Sequence, residues 1–251
     1  MSDRPSEVTE MHTRLLRVTL EPEACATYWS HADPSLSRAD VAKRAFDEGW
    51  FGERSEARVH KLVDEFASRF DPFPDALNVL RGWSDMPLAT CRLIAHWHIQ
   101  LTDVFYRRFS GEFLPELHGA ETPSLTREMV AAWVERIAPE RWADSTKLKY
   151  AGNLITTAAE AGLLSQPMPR RTALLPDVPN DALAYLLHLL LDIGFDGSMT
   201  NNPYLRSVGL HGDRLERALV GLAGRPHAVG IDFSWMCGSL AKWAASRTSA
   251  P

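Results

Sequence analysis

A chain of 251 residues, 45% hydrophobic and 24% charged, is long enough for two or three compact units and is neither disordered nor fibrous in composition. Its formal net charge of −5 argues against a protein that holds nucleic acid by charge over its whole surface, so any such role has to be local. Three widely spaced cysteines, Cys25, Cys91 and Cys237, form no CxxC pair; they indicate neither a disulfide framework nor a zinc site, and fit a reducing compartment.

In chain order, residues 1–12 are polar and charged, unlike a signal peptide, and read as a mobile tail. Leu16, Val18 and Leu20 alternate with Arg17 and Thr19, which predicts a short strand over Leu15–Leu20. Ser37 with Asp40 three residues on forms a capping box for a helix carrying Val41, Ala42, Ala45 and Phe46. Ser55 opens a second helix with Val59, Leu62, Val63, Phe66 and Phe70 on one side. Arg54, Arg58 and Lys61 share its polar side, diluted by Glu56, Asp64 and Glu65. The pair makes a helix-turn-helix-like module over residues 13–72, closed by Asp71-Pro72-Phe73-Pro74.

Residues 73–120 read as a helical linker region around one long helix, Met86 to Phe109. Arg92, His96, Asp103 and Arg107 fall on its expected exposed side. His96 and His98 point to different helix faces, so joint metal ligation is not expected and packing or capping histidines are the plainer reading. No metal or other cofactor is called for.

The plan then repeats over residues 121–176. A helix from Leu125-Thr126-Arg127 carries Val130, Trp133, Val134 and Ile137, and Asp144 or Ser145 caps the next. The step from leading Leu to cap Ser is 19 residues from Leu36 to Ser55 and 20 from Leu125 to Ser145. In the second helix Leu148, Ala151, Ile155, Ala158 and Gly162 form an apolar face. Thr146, Lys149, Tyr150, Asn153 and Thr157 form a row of hydrogen-bond donors opposite, with Glu160 the one acid after Asp144. Such a helix suits a DNA major groove; a solvated face is the alternative. Gln166 to Arg171 reads as the turn of a hairpin between Leu163-Leu164 and Ala173–Leu175, a wing whose tip would carry Arg170 and Arg171 to a phosphate backbone. From Arg141 to Arg171, Arg141, Lys147, Lys149, Arg170 and Arg171 outnumber Asp144 and Glu160, a local charge of +3.

Residues 177–251 read as a third, winged-helix-like unit. An apolar helix runs from Pro179 to Ile193 and stops at Gly194 as a C-cap. Short helices follow around Tyr204–Val208 and Asp213–Leu222, then a strand over Val229–Trp235. Arg214, Arg217 and Arg225 form its polar face, mixed with Glu216. The run Ala182–Phe195 is too short to span a bilayer, so a cytoplasmic protein without membrane contact is expected. Catalytic signatures are missing: no GxSxG, no GK[ST] phosphate loop, no HExxH and no dinucleotide fingerprint. A non-enzyme without a small-molecule substrate is therefore expected. The fold class is mainly α, with tandem winged-helix or helix-turn-helix-like modules around a helical middle and few short strands.

WFGERSEARVHKLVDEFASRF, ATCRLIAHWHIQLTDVFYRRF and WADSTKLKYAGNLITTAAEAGLL, in this order and spacing, resemble the BrxA proteins of bacterial BREX phage-defence systems. The resemblance runs from about Leu15 to Leu175. It implies a small, mostly helical, non-enzymatic cytoplasmic protein that binds double-stranded DNA beside other BREX subunits. The residues expected at DNA are Thr146, Lys147, Lys149, Tyr150, Asn153, Arg170 and Arg171, and, less strongly, Arg54, Arg58 and Lys61; these rest on the helix faces, not on the resemblance. A protein-interaction adaptor without nucleic-acid binding is the other reading, favoured by the acidic net charge.

Overall fold

A side-chain cap sets the start of the first helix in each helix pair. In the computed structural model, which describes residues 4–120, 123–165, 170–223 and Lys242, Ser37 accepts from the Asp40 amide at 3.2 Å and donates to its carboxylate at 2.6 Å. That capping box opens α2 (Arg38–Asp47), after α1 (Pro22–His31). Ser55 stands at the N-cap of α3 (Glu56–Phe70) without a side-chain cap bond. Val41, Ala42 and Ala45 pack with Val59, Leu62, Val63 and Phe66, all buried, while Phe46 stays 41% exposed.

After α4 (Pro74–Gly82), the long helix expected over Met86–Phe109 is broken in two. Asp103 leaves helical geometry (φ −134°, ψ 107°), and its carboxylate accepts from the Tyr106 amide at 2.9 Å. It thus ends α5 (Leu88–Thr102) and caps α6 (Val104–Arg108). A wide π turn, Phe109–Phe113, and α7 (Leu114–His118) follow. The apolar period runs through the break, so the sequence hides it.

α5 packs against α1, α3, α6, α9 and α10, and its expected exposed side is mostly inside. Arg92 is exposed, but His96, Asp103 and Arg107 are buried. His96 lies 2.9 Å from both the Tyr106 and Ser207 hydroxyls, and burial lowers its pKa to about 3. His98 sits between the Arg69 carbonyl (3.2 Å) and the Tyr185 hydroxyl (2.7 Å), lowered by burial to about 4. The two rings point to different partners, as their spacing requires.

Residues 4–12, read as a tail, lie along the core. Ser6 bridges Gly194 in parallel, the Val8 amide donates to the Leu101 carbonyl at 2.8 Å, and Arg107 reaches Glu7 at 3.6 Å. Gly194 therefore serves as a pairing partner, two residues beyond the end of α10 (Asn180–Asp192), rather than as the cap. The strand expected over Leu15–Leu20 is instead a 3-10 turn at Arg14–Leu16 followed by a segment without regular structure, outside the sheet.

The central unit runs β1 (Ser124–Leu125), α8 (Arg127–Ile137), α9 (Asp144–Glu160), β2 (Arg171–Thr172). Thr126 caps α8 through the Met129 amide at 3.4 Å. β1 pairs antiparallel with β2, Leu125 opposite Arg171. On the other edge of β2, Leu164 bridges Ala173, and the Ser165 amide donates to the Thr172 carbonyl at 2.9 Å. The hairpin expected from Leu163 to Leu175 thus exists at its base; its turn, Gln166–Pro169, lies outside the described residues. α11 (Pro203–Ser207) and α12 (Gly212–Ala223) follow, and the expected strand at Val229–Trp235 and Arg225 lie outside the described residues. The buried apolar side chains of all these units form one contiguous cluster from Leu15 to Leu219.

Candidate nucleic-acid interface

α9 has core on more sides than its apolar stripe requires. Its N-cap is Ala143, with Asp144 the first helical residue. Ala151, Ile155 and Ala158 are buried as expected, but so are Tyr150, Leu154 and Thr157, while Leu148 is 38% exposed. Tyr150, expected at DNA, is fully enclosed: its ring meets Phe105 edge-on at 5.4 Å and its hydroxyl lies 3.4 Å from both Asp103 oxygens. Burial also raises its phenol pKa well above the ordinary value. Tyr150 and Thr157 thus differ from the expected surface donors: α9 is wedged between α8 and α5, which takes the phenol and the hydroxyl inside.

Most of the remaining polar side of α9, Lys149 excepted, faces the chain itself. Lys149, Asn153, Thr156 and Glu160 recur at steps of four and three, so they share one side of α9. The Asn153 amide donates to the Leu15 carbonyl at 2.6 Å, so it too is spoken for. The Glu160 carboxylate accepts from the Leu20 amide (2.8 Å), the Glu21 amide (3.2 Å) and the Thr19 hydroxyl (3.1 Å). Across the segment, α3 grips the same backbone. Arg58 donates to the Arg17 carbonyl at 3.0 Å, and buried Arg69 to those of Val18 (2.9 Å), Thr19 (2.8 Å) and Leu20 (3.2 Å). Residues 15–21 are thus clamped between the second helices of both helix pairs. These side-chain-to-backbone bonds supply what a strand partner would have given.

The expected contact residues divide accordingly. Lys147 is held by Glu135 and by Asp144 (3.0 Å), its side chain only 13% exposed, and these carboxylates raise its pKa. Arg54 and Arg58 both pair with Glu21, Arg54 at 2.9 Å. Thr146 is half-buried, whereas Lys149, Lys61 and Arg170 are exposed. Arg171, in β2, shares a mixed cleft with Arg54, Arg92, Glu21 and Glu160, and so lies at the hairpin base rather than at a tip.

A second cleft joins the modules. Arg17, Arg58 and Lys61 line it from the first, and Lys149 from the second, in a volume of about 460 Å³. Its remaining lining is Leu16, Ser55 and Ala57, without a carboxylate. Sequence reading missed Arg17, which carried no signal beyond its place in an alternating run; only the packing of the Arg14–Leu16 turn against α9 brings it beside Lys149. Among the described residues no group of three or more His, Cys, Asp or Glu could hold a metal, and no helix is long and apolar enough to cross a membrane.

Comparison with curated proteins and with solved structures gives no match. The BrxA family model matches residues 24–187, from within α1 to within α10, and so takes in both helix pairs, while the segment 15–21 that they clamp precedes the match. Over that span, well beyond half of its length, the chain belongs to the BrxA family of BREX phage-defence systems.

Proposed function

We propose that the chain is a non-enzymatic, DNA-binding accessory subunit of its defence system, and that the central unit works as a winged helix. The supporting observation is Lys149: it is exposed on the second helix of a strand–helix–helix–hairpin unit and makes no ion pair with a described residue, while exposed Arg170 enters β2 on the hairpin. Cations so placed reach phosphates on either side of a groove. Thr146, at the start of α9, is the other group from the expected row that still opens to solvent. The cytoplasm is the compartment in which such a subunit meets DNA and its partners.

A Lys149→Glu/Arg170→Glu chain is expected to lose affinity for a short duplex on the order of tenfold or more at low salt, with its thermal midpoint unchanged. Undiminished binding would remove the central unit from the contact. The adaptor reading draws on other features: the net charge of −5, the neutralised Lys147, and Met129 (43% exposed) and Leu148 (38%) on α8 and α9. Its test is capture of the other defence subunits by the same variant. A wild type that captures those subunits but does not bind duplex DNA would favour the adaptor.

A further inference from the structure

We propose that the cleft lined by Arg17, Arg58, Lys61 and Lys149 is a phosphate site for the DNA backbone, so that both helix pairs, and not α9 alone, hold one strand. The inference rests on the DNA-binding reading above and assigns it a place.

The four cations are of two kinds. The arginines are fixed from behind: Arg58 by Glu21 and by the Arg17 carbonyl at 3.0 Å, Arg17 by buried Glu65 at 3.4 Å. Neither carboxylate is among the lining residues, so the guanidinium groups are oriented without an acid entering the cleft. Planar forks held in this way are pre-organised for a tetrahedral oxyanion. Lys61 and Lys149 are exposed and pair with no described carboxylate. They are the uncompensated charges, one from each module, and a chain of net charge −5 concentrates them at one seam. The cleft is open rather than enclosed, which suits a phosphodiester within a polymer.

The test measures duplex binding by the full chain across a salt series, for the wild type, Lys61→Ala, Lys149→Ala and Arg170→Ala. Each backbone contact removed should make the slope of log affinity against log salt shallower by roughly 0.9. The expected result is an equal loss of slope for Lys61→Ala and Lys149→Ala. Both side chains are exposed, and equal melting temperatures check that folding is kept. If Lys61→Ala is silent while Lys149→Ala and Arg170→Ala weaken binding, the shared cleft is overturned and the central unit alone is the reader. If the wild type does not bind duplex even at low salt, the underlying DNA reading falls, and the cleft assignment with it.

Discussion

Glu160 shows how a residue type can be read correctly and its use misread. In the sequence it is a lone acid near the end of a donor-lined helix; in the fold it accepts three hydrogen bonds from Thr19, Leu20 and Glu21. Replacing it by Ala leaves two backbone amides without that partner and is expected to cost about 1–3 kcal/mol. Urea unfolding measures this; a solvated acid would give a change near zero. Arg69 answers from α3, its guanidinium on three carbonyls of the same segment. Arg69→Met should be at least as costly, since it strips partners from three carbonyls near the core. Such contacts were illegible because they join residues about 50 and 140 positions apart. Tyr150 failed for a related reason: Tyr suits a wet surface and a core equally, and only the docking of α9 on Asp103 and Phe105 decides.

Among the elements, starts were more legible than ends and faces. Ser37 caps α2 as the sequence indicates, because the cap is local chemistry, whereas α9 starts from Ala143 rather than from a capping Asp144 or Ser145. The break at Asp103 was hidden by hydrophobic periodicity running from α5 into α6, although a capping Asp is itself a start signal. α5 shows why faces fail: it is enclosed on nearly every side, so period alone cannot choose an outward face. That enclosure has a pH consequence. His96 and His98, lowered by burial to about 3 and about 4, stay neutral when folded while the unfolded chain takes protons below its ordinary value of 6.5. Stability contributed by the neutral rings is thus present above pH 6.5 and lost as pH falls towards 4, by up to about 1.4 kcal/mol per unit for each ring. Asp103 and Glu160, raised by burial, act in the opposite sense nearer the carboxylate range. Urea midpoints at pH 7.5, 6.5 and 5.5 should fall with acidity, and less steeply in His98→Gln; a flat profile would contradict the burial. At the π turn, a Cβ on Gly111 would meet the Pro203 Cβ at 2.6 Å and its carbonyl oxygen at 2.8 Å. Gly111→Ala should therefore push α11 away at a cost of about 1–3 kcal/mol, seen as a lowered thermal midpoint.

For the whole molecule, a mainly helical class and two related helix pairs were legible, since both rest on periodicity and caps. The assembly was not. The separate units expected from the sequence share one apolar cluster, and Glu7 and Val8 are tied to Arg107 and Leu101. A single cooperative unfolding transition by circular dichroism and tryptophan fluorescence is expected, and removal of residues 1–12 should lower its midpoint. Two separated transitions would contradict the shared core. The same docking explains the redrawn candidate interface: Tyr150, Asn153 and Lys147 are occupied inside or at the rim of the fold and Thr157 is buried, while Lys61, Lys149 and Arg17 meet at the seam. DNA binding is the central claim, and a salt titration of the full-length chain against a short labelled duplex tests it most directly. Binding that weakens steeply and linearly in log salt is the expected result. Absence of binding at low salt, or affinity indifferent to salt, would contradict it.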